Sequence, residues 1–360
     1  MTRPVISAWS AVSPFGIGRD SFVDGLARGE PSATLPDPAE GPVPGGRPPL
    51  LVPGFDIREV LGRKGTRSMD RVSALAVTAV RELLDSAERN REVGTGDHTA
   101  LVLGTTTGSV KSIMDIIRDT LIHQKPFYID VARIPNAIMN SASAQCAIWH
   151  QLTGPNTTVA GGRVAGLFAL RYSLRLLRSD RAKAVLCGGA EEFSPARAWL
   201  EHHGRVPGEP STALGEGCAL LLVEPGDAGG DRLVLAEVLA VETGIHTGDN
   251  LDSALGECLQ RALHRAGVTA DQVWAVSSVP LDGPPGDAER SAVNSVFDGL
   301  SPRRIPDGQP WGDAGAVTAT FQIITVLAAA QEPAEAAGRL AMIVSVDRDG
   351  ALGCALLARY

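Results

Sequence analysis

Apolar and polar positions along the chain follow two rhythms, one of helical and one of strand spacing, and the same series of rhythms occurs twice. Ser73-Ala74-Leu75-Ala76 through Val80-Arg81-Glu82-Leu83-Leu84 has the period of an amphipathic helix. After a polar loop comes the strand-length run Thr99-Ala100-Leu101-Val102-Leu103-Gly104. Ser253-Ala254-Leu255-Gly256 through Leu263, then Trp274-Ala275-Val276-Ser277, repeats that order. The small, apolar helix-length segment Val164 to Leu170 has its counterpart in Ala314 to Phe321. Two late runs, Lys183 to Cys187 and Gly217 to Leu222, are echoed by Leu340 to Val344 and Gly353 to Leu357. Strands apolar on both faces belong to sheets covered on both sides. Helices small and apolar all round belong to a layer between two sheets. The pattern predicts two α/β halves, residues 1–225 and 232–360, in a five-layer α-β-α-β-α arrangement, with the seam in the Gly/Asp-rich turn Pro225 to Asp231. The proline-rich stretch Pro31 to Pro53, with Pro36, Pro38, Pro42, Pro44, Pro48 and Pro49, reads as a surface loop over the first half.

Composition narrows the function. Hydrophobic content of 44% with 21% charged residues is that of an ordinary globular chain. No apolar run reaches the roughly 18 residues of a membrane span, and no basic-then-apolar signal opens the chain, so a cytoplasmic protein that does not bind membranes is expected. A net charge of −8 argues against general nucleic-acid binding. The five cysteines, at 146, 187, 218, 258 and 354, have no C-x-x-C spacing and read as small buried hydrophobes. Adjacent His202 and His203 suit a solvated loop, and no histidine pair has metal spacing. Neither metal nor cofactor is expected.

Four ordered segments carry a resemblance. Residues 4–31 (PVISAWSAVSPFGIGRDSFVDGLARGEP), 151–170 (QLTGPNTTVAGGRVAGLFAL), 184–192 (AVLCGGAEE) and 215–224 (GEGCALLLVE) are similar to the β-ketoacyl synthases, which implies a thiolase-like duplicated five-layer fold. Within that family the chain most resembles the cysteine-less chain-length factor, the subunit that pairs with a catalytic ketosynthase in type II polyketide systems.

The resemblance also locates what is missing. Condensation needs a thiolate to carry the acyl chain and two imidazoles to polarise the malonyl group. The nucleophile's position, at the mouth of the helix after Thr157-Thr158-Val159-Ala160-Gly161-Gly162, holds Arg163, which has no nucleophilic atom. The first histidine's position falls on Ser278 or Val279, the second on Gln309, the usual lysine on Arg304 and the gating aromatic on Arg348. An arginine at a helix N-terminus opposes the dipole at about 0.3–1 kcal/mol. A carboxylate should therefore hold it: Asp347 is expected first, with Asp313 and Asp349 as alternatives.

Resemblance further implies pairing through the strand Thr157, Thr158, Val159, Ala160 and an acyl tunnel at the subunit boundary. Its lining falls on the helix from Ser109, where Ser109, Ser112, Ile113 and Ile116 share one face; ordinary core packing is the competing reading of that stripe. The implied partners are a catalytic ketosynthase, an acyl carrier protein reached mainly through it, and the growing polyketide chain. Arg163 in place of the glutamine common in aromatic systems, and the short 193–215 segment, lean towards polyene-forming, highly reducing systems. Two other roles stay open: a malonyl-carrier-protein decarboxylase or acyltransferase using Arg163 and Gln309 as anion binders, and a pure scaffold. The basic stripe Arg171, Arg175, Arg178 reads as favourable charge at a helix C-terminus in preference to a carrier dock.

Overall fold

The structure, a computed structural model, describes residues 3–29, 31, 41–44, 46–205, 210–227, 233–329 and 338–360. The chain opens with β1 (Val5–Ser13), the short β2 (Gly16–Ile17) and α1 (Arg19–Arg28). Helices α2 (Ile57–Leu61), α3 (Arg71–Asp85) and α4 (Glu88–Val93) lead into β3 (Thr99–Thr105). Then come α5 (Val110–Ile122), α6 (Ser141–His150), β4 (Asn156–Ala160) and α7 (Ala165–Arg178). β5 (Ala184–Glu191), α8 (Pro195–Gly204) and β6 (Gly217–Glu224) follow. The later part carries β7 (Ala236–Ile245), α9 (Leu251–Ala266), β8 (Val273–Ser278), α10 (Pro284–Val296) and β9 (Arg303–Arg304). It ends with α11 (Thr318–Ala328), β10 (Leu340–Val346) and β11 (Ala351–Arg359).

The main strand order is β4-β3-β5-β6-β1-β7-β11-β10-β8-β9. Outward from its middle the two arms match: β1/β6 and β7/β11 are antiparallel, as are β6/β5 and β11/β10. Next, β5/β3 and β10/β8 are parallel, as are β3/β4 and β8/β9. The repeat legible in the sequence is thus a repeat of topology. Hydrophobic pattern does not foretell the join: β1 and β7 pair only through Val5↔Glu237 and Ile6↔Ala236, linking the two sheets edge to edge.

Strand alternation sorts the core into layers. Ala100 and Val102 of β3 face the central core with α7 and α11, while Leu101 and Leu103 face α3. In the second arm Ile343, Ala355 and Leu357 face inward, and Met342, Val344, Cys354 and Leu356 face α9 and α10. Helix α11 is buried throughout, as its sequence requires. Its one amide, Gln322, donates through Nε2 to the carbonyls of Ser277 at 3.0 Å and Val344 at 2.8 Å, while its Oε1 is buried with no partner at hydrogen-bonding distance.

Within the proline-rich stretch Leu50 bridges to Gly215, the Val52 N–H donates to Glu216 Oε1 at 2.9 Å, and the Trp199 indole donates to the Pro42 carbonyl at 2.9 Å. Pro36 and Pro38 lie outside the described residues, as does the seam from residue 228 to 231. His202 and His203 close α8, His203 stacked on Trp199 and His202 edge-on to it, and are not in a loop. All five cysteines are buried and unpaired by disulfides. Burial pushes the thiols of Cys146, Cys187 and Cys218 up, that of Cys187 to about 12, which leaves them unreactive at neutral pH.

Candidate functional site

Strand β4 ends at Ala160, and the chain passes through Gly161 into a 3-10 turn, Gly162–Val164, that leads into α7. Gly162 has φ +50°, and a Cβ there would fall 2.1 Å from Asp347 Oδ2. Only glycine fits both the left-handed backbone and the close approach of the β10–β11 loop. Gly162→Ala is therefore expected to cost roughly 1–3 kcal/mol, read as a lower urea midpoint at unchanged m.

Arg163 is 3% exposed. Its Nη1 donates to Asp313 Oδ1 at 2.7 Å and its Nη2 to the Val279 carbonyl. The Arg163 backbone N–H donates to Asp347 Oδ2 at 2.9 Å, and its carbonyl accepts from the Ser345 hydroxyl at 3.1 Å. The expected guanidinium partner, Asp347, is therefore corrected to Asp313. The side chain extends past the turn to the start of the opposite helix, and Asp347 lies close enough to take the main chain instead. Asp349 is exposed, and its N–H donates to Asp347 Oδ1.

Burial by itself would raise Asp313, but the guanidiniums of Arg163 and Arg197 outweigh it and hold the carboxyl below its usual range. Arg197, 2% exposed, donates to the backbone carbonyls of Asp313, Gly215 and Glu192. Asp347 is pushed up by burial, only partly offset by the N–H groups of Arg163 and Asp349. The arrangement is a buried charge network that offers no nucleophile; both Nη atoms of Arg163 are committed, and its Nε has no partner at hydrogen-bonding distance.

The other positions assigned from the resemblance lie as follows. Ser278 donates to Glu289 Oε1 at 2.6 Å, with Glu289 pushed up to about 7 mainly by burial. Val279 packs in the central core. The Gln309 amide donates to the Pro280 carbonyl, and Arg304 donates to Asn294 Oδ1 at 3.2 Å. Glu201 of α8 is pushed up to about 7 mainly by burial, and the charge of Arg348, at the gate position, counters that rise. No imidazole occupies either histidine position.

Helix α5 divides the residues assigned to the tunnel. Ser109 caps it and Ser112 hydrogen-bonds Ser109, both buried in a polar network with Glu192. They do not present an open surface. Ile113 and Ile116 are half-buried, and the exposed apolar stripe is Met114 and Ile117, each one residue further on, with Leu121. That stripe continues into a segment the sequence reading passed over: Phe127, Tyr128, Val131, Ile138 and Ile148 are all exposed, Ile148 by 74%. The available signal was a dense apolar run outside every assigned element. Nearby, Thr157, Thr158 and Val159 of β4 are half-exposed and Ala160 exposed, and among the described residues β4 pairs on one side only, with β3. Arg171, Arg175 and Arg178 are exposed near the far end of α7, with Arg171 bonded to Thr243.

A family model described as "Beta-ketoacyl synthase, N-terminal domain" matches residues 2–228. The 3-oxoacyl-[acyl-carrier-protein] synthase 2 of Synechocystis is 27% identical over 243 residues, 62% of this chain and 57% of that enzyme, so the match spans little more than half of the relative. A solved structure described as the ishigamide ketosynthase/chain length factor is 46% identical, with a TM-score of 0.93 and 99% of each chain covered. A type II polyketide acyl-carrier protein in complex with its ketosynthase, bound to the hexaketide, shares the fold at 14% identity and a TM-score of 0.77, over 100% of this chain and 99% of that one. Strand order, buried helical pair and family match agree: the chain belongs to the β-ketoacyl synthase family and has its thiolase-like fold.

Proposed function

We propose that this chain is a chain-length factor: a ketosynthase-like subunit that performs no condensation itself, pairs with a catalytic ketosynthase and shapes the acyl tunnel of a type II polyketide system. The observation that carries the reading is Arg163, buried and ion-paired to Asp313 where the family's nucleophile would stand. Likeness to a structure described as a ketosynthase/chain length factor supports it. Residues 1–225 and 232–360 are its two halves, and the product is of the polyene-forming, highly reduced kind.

The pairing surface is the free edge of β4 at Thr157, Thr158, Val159 and Ala160 together with the apolar stripe of α5 and residues 127–148. Ile113 and Ile116, beside that stripe, line the tunnel; Ser109 and Ser112 act behind it as the helix's polar anchor. An acidic carrier protein reaches the pair mainly through the ketosynthase. The exposed cations Arg63, Lys64 and Arg67, in the loop that packs Gly65 near the Trp149 ring, add positive charge close to the same surface. Decarboxylation by Arg163 alone is the weaker reading, since its Nη atoms are held by Asp313 and Val279 and cannot clamp a substrate carboxylate without breaking a buried pair.

Co-expression with the catalytic subunit tests the role. Ile116→Ala is expected to lengthen the main product and Ile113→Trp to shorten it, with the heterodimer intact in each case. Unchanged product length alongside an absolute need for the subunit would leave a scaffold. Carbon dioxide release from malonyl-carrier protein by this chain alone, lost in Arg163→Ala, would establish the decarboxylase.

A further inference from the structure

Two acids meet behind α5 for which the charge network around Arg163 has no use. Glu192, just past β5, is 1% exposed. Its Oε1 accepts from the Ser109 hydroxyl at 2.9 Å and the Lys111 N–H at 3.4 Å, and its Oε2 from the Val72 N–H at 3.1 Å. One carboxyl thus closes the N-terminal ends of two helices, α3 and α5. Asp70, the N-cap of α3, accepts the Ser73 N–H at 3.0 Å through Oδ1. Its Oδ2 is buried with no partner at hydrogen-bonding distance, while the Ser73 hydroxyl and, more weakly, the Ser109 hydroxyl act on this carboxyl.

Counting protons exposes a deficit. The one hydroxyl proton of Ser109 lies at hydrogen-bonding distance of Glu192 and Ser112, and the Ser73 hydroxyl, which also acts on Asp70, stands beyond that distance from Asp70 Oδ2. If both acids were ionised, Asp70 Oδ2 would be a dry, unpaired oxygen facing a second negative charge. Neighbouring charges are committed elsewhere. Lys111 pairs with Asp115 and Arg71 with Glu216, while Arg197 reaches the Glu192 backbone carbonyl and not its carboxyl. Glu191 turns the other way, to Thr106 and the Ala316 N–H.

We propose that Asp70 and Glu192 hold one acid proton between them, and that this proton positions the start of α5, making Glu192 a positioning residue for the helix that bears the exposed apolar stripe. The electrostatics agree with the count: burial first and the Asp70 charge second push Glu192 up to about 8, and burial raises Asp70 as well. In the unfolded chain such a glutamate loses its proton near 4.5. The folded-state pKa is the higher one, so the contribution to stability is complete below about 4.5 and is lost as pH rises towards about 8.

The test uses the full chain alone, so its outcome is separate from whether the chain pairs with a ketosynthase. Amide exchange in the first turn of α5 and the melting temperature are followed from pH 6 to 9 in wild type, Glu192→Gln and Asp70→Asn. Glu201 and Glu289 titrate in all three proteins and cancel in the differences. In wild type, protection of α5, corrected for the intrinsic exchange rate, is expected to fall by up to about tenfold per pH unit below 8, as release of one proton requires. Glu192→Gln, which carries its N–H at every pH, is expected to flatten that fall and to gain in melting temperature relative to wild type as pH rises. Asp70→Asn gives the same sign and serves if the first variant does not fold. Parallel pH curves for wild type and either folded variant would overturn the proposal.

Discussion

Replacing Arg163 with alanine is expected to destabilise the fold by about 3–5 kcal/mol, because the buried Asp313 carboxylate loses its ion-pair partner and keeps only the charge of Arg197, which bonds its backbone carbonyl instead. Removal of the guanidinium also opens space in the central core and leaves the Val279 carbonyl without its donor. The double variant Arg163→Ala/Asp313→Ala should recover much of the loss, and the coupling energy from the cycle, measured by urea unfolding, isolates the pair. Acid should remove the same contribution. Asp313 is held below its ordinary value in the folded state, so its stabilisation is present above about 3.8 and disappears as pH falls further. A cysteine at 163 is expected to restore no condensation, since Ser278 and Gln309 supply no imidazole to the malonyl group.

Leu121→Asp should abolish pairing with the ketosynthase while leaving this subunit folded. Leu121 is 78% exposed near the end of α5, so little of it packs against the described residues. At the centre of an apolar interface, the introduced carboxylate would be desolvated without a partner. A loss of about 2–4 kcal/mol corresponds to roughly 30-fold to 1,000-fold weaker association. Co-purification and sedimentation of the mixed subunits measure it, with an unchanged melting temperature of the variant alone as the control. Retained pairing would move the interface away from α5 and residues 127–148.

The repeat was readable because period-2 and helical spacings are properties of local sequence: α3, β3, α7 and β5 each announce themselves and are echoed by α9, β8, α11 and β10. The vacancy proposed at Arg163 rests on sequence alone, because an arginine assigned in place of a thiol needs no coordinates to be chemically inert. What Arg163 touches was not. Asp313 and Asp347 both sit in loops of the second arm, and the choice between them turns on how far a side chain extends across the junction of two helices. The surroundings of the stripe on α5 were hidden for a related reason. Helical spacing groups Ser109, Ser112, Ile113 and Ile116 correctly, but it cannot say that Glu192, distant in sequence, takes the serines into a polar anchor. Nor can an apolar residue such as Val131 or Ile148 declare whether it fills a core or waits on the outside.

The half-finished border of β4 has a consequence for how the protein must be made. Asn156-Thr157-Thr158-Val159-Ala160 offers its outer backbone groups with none of the usual deterrents: neither lysine nor proline interrupts it, and its β-branched residues favour extension. On the proposed pairing, a chain produced in surplus over its ketosynthase keeps this edge uncovered, and further copies are expected to add to it strand by strand. Balanced synthesis of the two polypeptides then acts as a safeguard against clumping as much as a supply of enzyme.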